Sequence, residues 1–133
     1  MSDPFPAASF TPGEIEVVAL DQQPWYEADD GAIAREYASP RNARAEKLSI
    51  ADIKIPAGTT VRPHYHREIE EIYHIVSGAG TMLLNGNEKS VGPGDTVVIL
   101  PGERHGIRNA GPAELRMIVT CTPPWTPDCM EFD

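Results

Sequence analysis

Apolar and polar residues alternate along much of this chain in short runs, and glycine or proline bounds most of them. Around Glu71-Ile72-Tyr73-His74-Ile75 the alternation has a period of two, and Thr96-Val97-Val98-Ile99-Leu100 is apolar throughout. Both patterns suit strands, whose successive side chains point to opposite faces. The pattern predicts strands at 14–20, 32–37, 47–55, 61–66, 71–77, 81–84, 89–91, 96–100, 105–109 and 114–120. Asn85-Gly86 joins two of these runs as a hairpin turn, because both residue types tolerate positive φ. The stretch from Arg41 to Lys47 favours helix by propensity but lacks an apolar stripe, so it reads as a loop with at most one helical turn. Many short strands with turn residues between them indicate an all-β sandwich or barrel.

The 133 residues suit a single core, and no segment repeats. The expected division is an arm and edge strand at 1–30, a barrel core at 45–123 and an extended tail at 124–133. Prolines 123, 124 and 127 keep that tail out of any central strand. The start, Met1-Ser2-Asp3-Pro4-Phe5-Pro6, has neither the basic opening nor the apolar core of a signal peptide, and no apolar run reaches the length of a membrane span. Two cysteines, Cys121 and Cys129, do not make a disulfide framework, so a cytoplasmic setting with free thiols is expected. Cys121 reads as a small buried residue in an apolar strand. The net charge of −9 argues against a nucleic-acid partner, whose phosphates need a basic face, and leaves a small molecule as the expected partner.

Three of the four histidines fall into a pattern with one carboxylate: His64-x-His66-x4-Glu71, then His105. His64 and His66 share a strand face, which sets two imidazoles side by side. Glu71 has the wrong parity for one unbroken strand, so a bend within Arg67-Glu68-Ile69-Glu70 must restore it. Glu71, Tyr73 and Ile75 then line the interior and His74 points away, with Glu70 as the alternative carboxylate. Three imidazoles and a carboxylate suit one divalent transition metal ion: Fe, Mn, Ni, Co or Zn. Tyr73 is the candidate catalytic residue, a hydroxyl able to orient substrate or water. Arg62, Arg67 and Arg116 are candidate anion clamps.

Glycine, proline and asparagine flank these residues. The run from Gly58 to Gly78 reads G-x5-H-x-H-x4-E-x6-G, and the run from Gly94 to Asn109 reads G-x6-P-G-x2-H-x3-N. Here the chain resembles the cupin superfamily, whose first motif it matches at every position. The second motif departs by one extra residue before Pro101 and by Gly102 directly after it. The resemblance covers roughly residues 45–123 and implies a single cupin β-barrel, a jelly roll, with the four residues above as metal ligands. Ser39-Pro40-Arg41-Asn42 and Cys121-Thr122-Pro123-Pro124-Trp125 are similar to segments of small cupins grouped as mannose-6-phosphate isomerase-like.

Four protein ligands on an octahedral ion leave two open positions for water, substrate or dioxygen. The first expectation is an Fe(II)-type dioxygenase acting on a small polar or anionic molecule. The alternatives are a sugar or hydroxy-acid isomerase, epimerase or lyase, and a binding module without chemistry. A homodimer is expected, with the arm bearing Phe5, Phe10, Ile15, Val17 and Val18 laid on the partner's sheet.

Overall fold

The structure is a computed structural model and describes residues 13–133. Its strands are β1 (Tyr26–Glu27), β2 (Ile33–Ala38), β3 (Ser49–Ile55), β4 (Glu70–Ser77), β5 (Gly80–Leu84), β6 (Asn87–Val91), β7 (Thr96–Ile99), β8 (His105–Arg108) and β9 (Leu115–Thr122). A six-stranded sheet runs β1-β2-β3-β9-β4-β7, and a three-stranded sheet runs β6-β5-β8. All the pairings are antiparallel. The fold is an all-β jelly roll. Among the described residues no helix is long and apolar enough to cross a membrane.

Register lays out the interior as rows across the large sheet. Ile55 faces Leu115, Ile53 faces Met117, Ala51 faces Val119 and Ser49 faces Cys121. On the other side of β9, Ile75 faces Met117, Tyr73 faces Val119 and Glu71 faces Cys121. One end of the interior is therefore filled by Ile55, Ile75, Ile107 and Leu115, all fully buried. The other end carries Ser49, Glu71 and Cys121, also buried but polar or polarisable. Close packing holds the first end, and the second is where chemistry can be housed.

Two predicted strands differ. Residues 14–20 form no strand: they are irregular as far as Ala19, and a 3-10 turn follows at Leu20–Gln22. The Arg44 side chain occupies the Glu14 carbonyl and the Glu16 carboxylate accepts the Arg44 N–H, so a loop takes the place of a strand neighbour. Ile15 and Val17 stand 92% and 83% exposed. Phe5 and Phe10, the other apolar residues of the expected arm, lie outside the described residues. Residues 61–66 form no strand and make only the isolated bridges His64 with His105 and Tyr65 with Glu131, with a third just before them between Thr60 and Arg108. Pro63 has no N–H to donate, which interrupts the ladder midway. Tyr26–Glu27 is a short edge strand that the pattern of the sequence does not announce.

The turn residues behave as their chemistry demands. Asn85 and Gly86 take φ of 48° and 84° between β5 and β6. The extra residue in the second motif is absorbed in the turn at Pro101-Gly102, where Gly102 has φ of 83° and its N–H donates to the His66 carbonyl at 2.7 Å. Gly106 is required by proximity. A Cβ there would sit 2.6 Å from the Val61 carbonyl oxygen, because β8 runs against the 61–64 segment. Gly106→Ala must push those two backbones apart, and the expected loss is about 1–3 kcal/mol, the usual range for overpacking. Thermal denaturation followed by far-UV circular dichroism checks this; an unchanged Tm would show that the contact yields freely.

Candidate metal centre

His64, His66 and His105 converge from two segments at the polar end of the interior. Ligand nitrogens from all three lie within 4.8 Å of one another, and all three residues are buried. The ring centroids of His64 and His105 are 4.5 Å apart, those of His64 and His66 5.1 Å and those of His66 and His105 5.4 Å. Each ring is oriented by a backbone carbonyl. Nδ1 of His64 donates to Arg62 at 2.7 Å, Nδ1 of His66 to Cys129 at 3.0 Å and Nδ1 of His105 to Glu103 at 2.8 Å. A proton held on Nδ1 leaves the Nε2 lone pair bare and aimed inward, the arrangement that ligating histidines adopt.

Glu71 completes the cluster. The chain bends at Arg67 and Glu68 and enters β4 at Glu70, so Glu71 turns inward. Its Oε1 lies 2.9 Å from His105 Nε2 and 3.5 Å from His66 Nε2, and its Oε2 accepts from the Cys121 thiol at 3.2 Å. Oε1 and both Nε2 atoms are buried yet form no hydrogen bond, despite that 2.9 Å approach. Buried polar atoms left in this way are expected to serve a bound ion. The donor set therefore fits a divalent metal: three neutral imidazoles and one carboxylate.

Beyond Glu71, strand alternation sorts the residues. Tyr73 is buried, with its ring edge-on to His105 at 5.9 Å. His74 is exposed and Nδ1 meets the Thr96 hydroxyl at 2.9 Å; Glu70 is exposed as well. The three candidate arginine clamps are engaged elsewhere. Arg62 stacks on Phe132 at 4.1 Å, Arg67 pairs with Glu131 at 2.7 Å and Arg116 grips Asp52 through two contacts of 2.8 and 2.7 Å.

A cavity adjoins the cluster, walled by His64, Glu71, Tyr73 and the inner faces of β2, β3 and β9. It holds about 50 Å³. One water needs about 10–15 Å³ on this measure, so a few waters or a molecule of a handful of non-hydrogen atoms would fill it. No arginine or lysine is among its walls, but Asp30 and Glu36 are. Asp30 is the residue that reading the sequence missed. Its Oδ2 lies 3.7 Å from His64 Nε2 and its Oδ1 accepts the Ala32 N–H at 3.0 Å. Burial raises its pKa against the lowering effect of that N–H. The signal was present, since Ala28, Asp30, Ala32, Ala34 and Glu36 all line the cavity at a period of two. The inward positions are small or acidic while Ile33 faces outward, so a hydrophobic pattern points the wrong way. Trp125 also lines this cavity, 5.9 Å from the Tyr26 ring.

The family model for the cupin domain matches residues 51–121. This chain belongs to the cupin family. An uncharacterized protein of Methanocaldococcus jannaschii is 35% identical over 107 residues, 80% of this cupin and 86% of that protein. An oxalate-binding protein of Thermotoga maritima is 35% identical over 68 residues, 51% of this chain and 56% of its own. Among solved structures, KdgF from Halomonas sp. superposes with a TM-score of 0.70 at 22% identity, over 83% of this chain and 94% of that one. At that identity the likeness is one of fold.

The metal-free cluster carries its own pH signature. Burial works against a charged His66, but interactions with the Cys129 side chain and with the Glu71 carboxylate outweigh it and raise the ring to about 10. Burial also opposes the charge on Glu71, yet His105 and His66 hold it well below the usual carboxylate range. His64 falls to about 4, chiefly through burial and then through repulsion from His105. A raised histidine stabilises the fold fully below its unfolded value of about 6.5 and loses that contribution as pH climbs towards 10. A lowered histidine acts oppositely and costs stability as pH falls from about 6.5 towards 4. Glu71 contributes throughout this window. The chelator-treated protein should therefore be most stable near pH 6.5, and His66→Gln should flatten the alkaline limb. Urea denaturation between pH 5 and 8.5 measures both; stability that rises steadily to pH 8.5 would contradict the His66 assignment.

Proposed function

We propose that this cupin is a divalent-metal enzyme that binds a small oxygen-rich molecule and moves a proton on it. The observation that carries the reading is the convergence of three carbonyl-tethered imidazoles and Glu71 beside a cavity that also holds a carboxylate. His64, His66, Glu71 and His105 would hold the ion, which when bound polarises a carbonyl or hydroxyl of the ligand. Asp30 reaches the His64 side of the centre and can accept a proton from a ligand carbon or hydroxyl. Tyr73 sits in the same wall and can orient the ligand by its hydroxyl. The apolar remainder of the cavity, including Ile53, Val61, Met117 and Val119, excludes water and sharpens these electrostatic contacts. The relative that binds oxalate is consistent with a small chelating ligand.

The same apolar walls favour a second reading, the Fe(II)-type dioxygenase, because dioxygen partitions readily into an apolar cavity next to open coordination positions. Isomerase, epimerase or lyase chemistry follows from the first reading. The setting we propose is cytoplasmic.

Metal content by mass spectrometry tests the centre. His105→Ala should lose bound metal, whereas Asp30→Asn and Tyr73→Phe should retain it. Full occupancy in His105→Ala would remove the proposal. With a panel of small hydroxy ketones and hydroxy acids, the loaded parent should exchange C–H protons with deuterated solvent. Asp30→Asn should slow this by about 10²–10⁴-fold, the usual contribution of a general base. Oxygen uptake without such exchange would favour the dioxygenase instead.

We also propose a homodimer. Ile15 and Val17, together with Val98 and Leu100 on and beside β7, leave large apolar side chains exposed on a single chain. Sedimentation equilibrium should report twice the chain mass, and a concentration-independent monomer would reject the dimer.

A further inference from the structure

The tail after β9 is tied to the histidine segment at several points. After the prolines, the Cys129 N–H returns to the Thr126 carbonyl at 3.1 Å, and the chain then runs alongside residues 64–66. Tyr65 and Glu131 exchange both backbone hydrogen bonds, at 3.1 and 2.9 Å. The Cys129 carbonyl accepts His66 Nδ1–H at 3.0 Å. The Phe132 ring lies 5.7 Å from the His64 ring, the Arg62 guanidinium sits 4.1 Å from the Phe132 ring centroid, and Met130 is buried. Asp133 pairs with Arg104 at 2.6 Å. The family match ends at residue 121, so this strap lies outside the segment shared with the family model.

We propose that residues 128–133 are a positioning element of the metal centre: they fix the tautomer and rotation of His66 through the Cys129 carbonyl and wall the outer side of His64 through Phe132. The inference rests on the metal reading above. His64 and His105 take their orienting carbonyls from residues two positions earlier, Arg62 and Glu103, within their own segments. His66 depends on a carbonyl 63 residues away. Its orientation is therefore only as good as the docking of the tail, and the Tyr65–Glu131 bridge is the contact that sets that docking. An imidazole that loses its carbonyl partner can rotate or present the wrong nitrogen, and its ion is held less tightly.

The test uses the full chain. Glu131→Pro removes the N–H that donates to Tyr65, whereas Glu131→Ala keeps it and sacrifices only the exposed pair with Arg67. Phe132→Ala provides a second lesion that leaves the backbone intact. Affinity for zinc and cobalt(II) is measured by competition with a chromophoric chelator, and hydrogen exchange at the Tyr65 amide reports docking without metal. Glu131→Pro should bind both ions about 10–100-fold more weakly, with fast exchange at Tyr65. Phe132→Ala should weaken binding in the same direction, and Glu131→Ala should keep the parent's affinity. In the cobalt(II) protein, the shifted Nδ1–H signal of His66 should exchange with solvent in Glu131→Pro while those of His64 and His105 persist. If the parent binds metal and Glu131→Pro binds it equally well, the positioning role is overturned and the metal reading stands. If the parent binds neither ion, the metal reading falls and this inference falls with it.

Discussion

The reciprocal backbone pair between His64 and His105 is the contact on which the centre depends. Each residue donates its N–H to the other's carbonyl, at 3.0 and 2.8 Å. Directly opposed residues of antiparallel strands point their side chains to the same side, so this one bridge sets two imidazoles next to each other. Gly106 lets the strands close to that distance, and Gly102 ties the incoming turn to His66. The two segments are distant in the chain and meet only when the sandwich closes. The cluster is thus a product of the completed fold and cannot form in any local piece of it.

Three buried carboxylates are each compensated differently. Asp52 is held from the sheet surface by Arg35 and Arg116. Glu36 takes the Tyr26 hydroxyl at 2.5 Å and the Arg41 guanidinium at 3.2 Å. Glu71 has Cys121 on one oxygen and the histidines facing the other. The first two networks keep charge within the protein at the edges of the interior, as burial of a charge demands. At Glu71 the compensation is left open on the cavity side. Glu71 thus keeps one buried oxygen without a hydrogen bond, and that oxygen lies in the histidine cluster.

Much of this was legible in the chain because it rests on short-range rules. The histidine spacing, the bend before Glu71, the inward turn of Tyr73 and the outward turn of His74 all follow from strand parity and turn chemistry. The structure departs where a partner from elsewhere decides the outcome. Residues 14–20 alternate like a strand, but their contacts run to Arg44 of the 41–47 loop instead of to a neighbouring strand. Asp30 looks like a turn residue beside Gly31, and only the closed sandwich brings it to His64. Arg116 looks available until Asp52, opposite Ile118 on the neighbouring strand, claims it. The tail reads as a proline-rich end, and nothing local announces that its carbonyl would reach His66.

The alanines of β2 and its approach have a consequence of their own. Ala28, Ala32, Ala34 and, on β3, Ala51 wall the cavity without holding any part of the histidine cluster. The shape of the cavity is thus written at positions that hold none of the four candidate metal ligands. One methyl more or less at these positions changes which molecule fits by about 1–3 kcal/mol, the discrimination a single methylene confers. The donor atoms need not move for this to happen. A lineage built on this scaffold could exchange one guest for another by drift at these few positions while its inorganic chemistry stays the same.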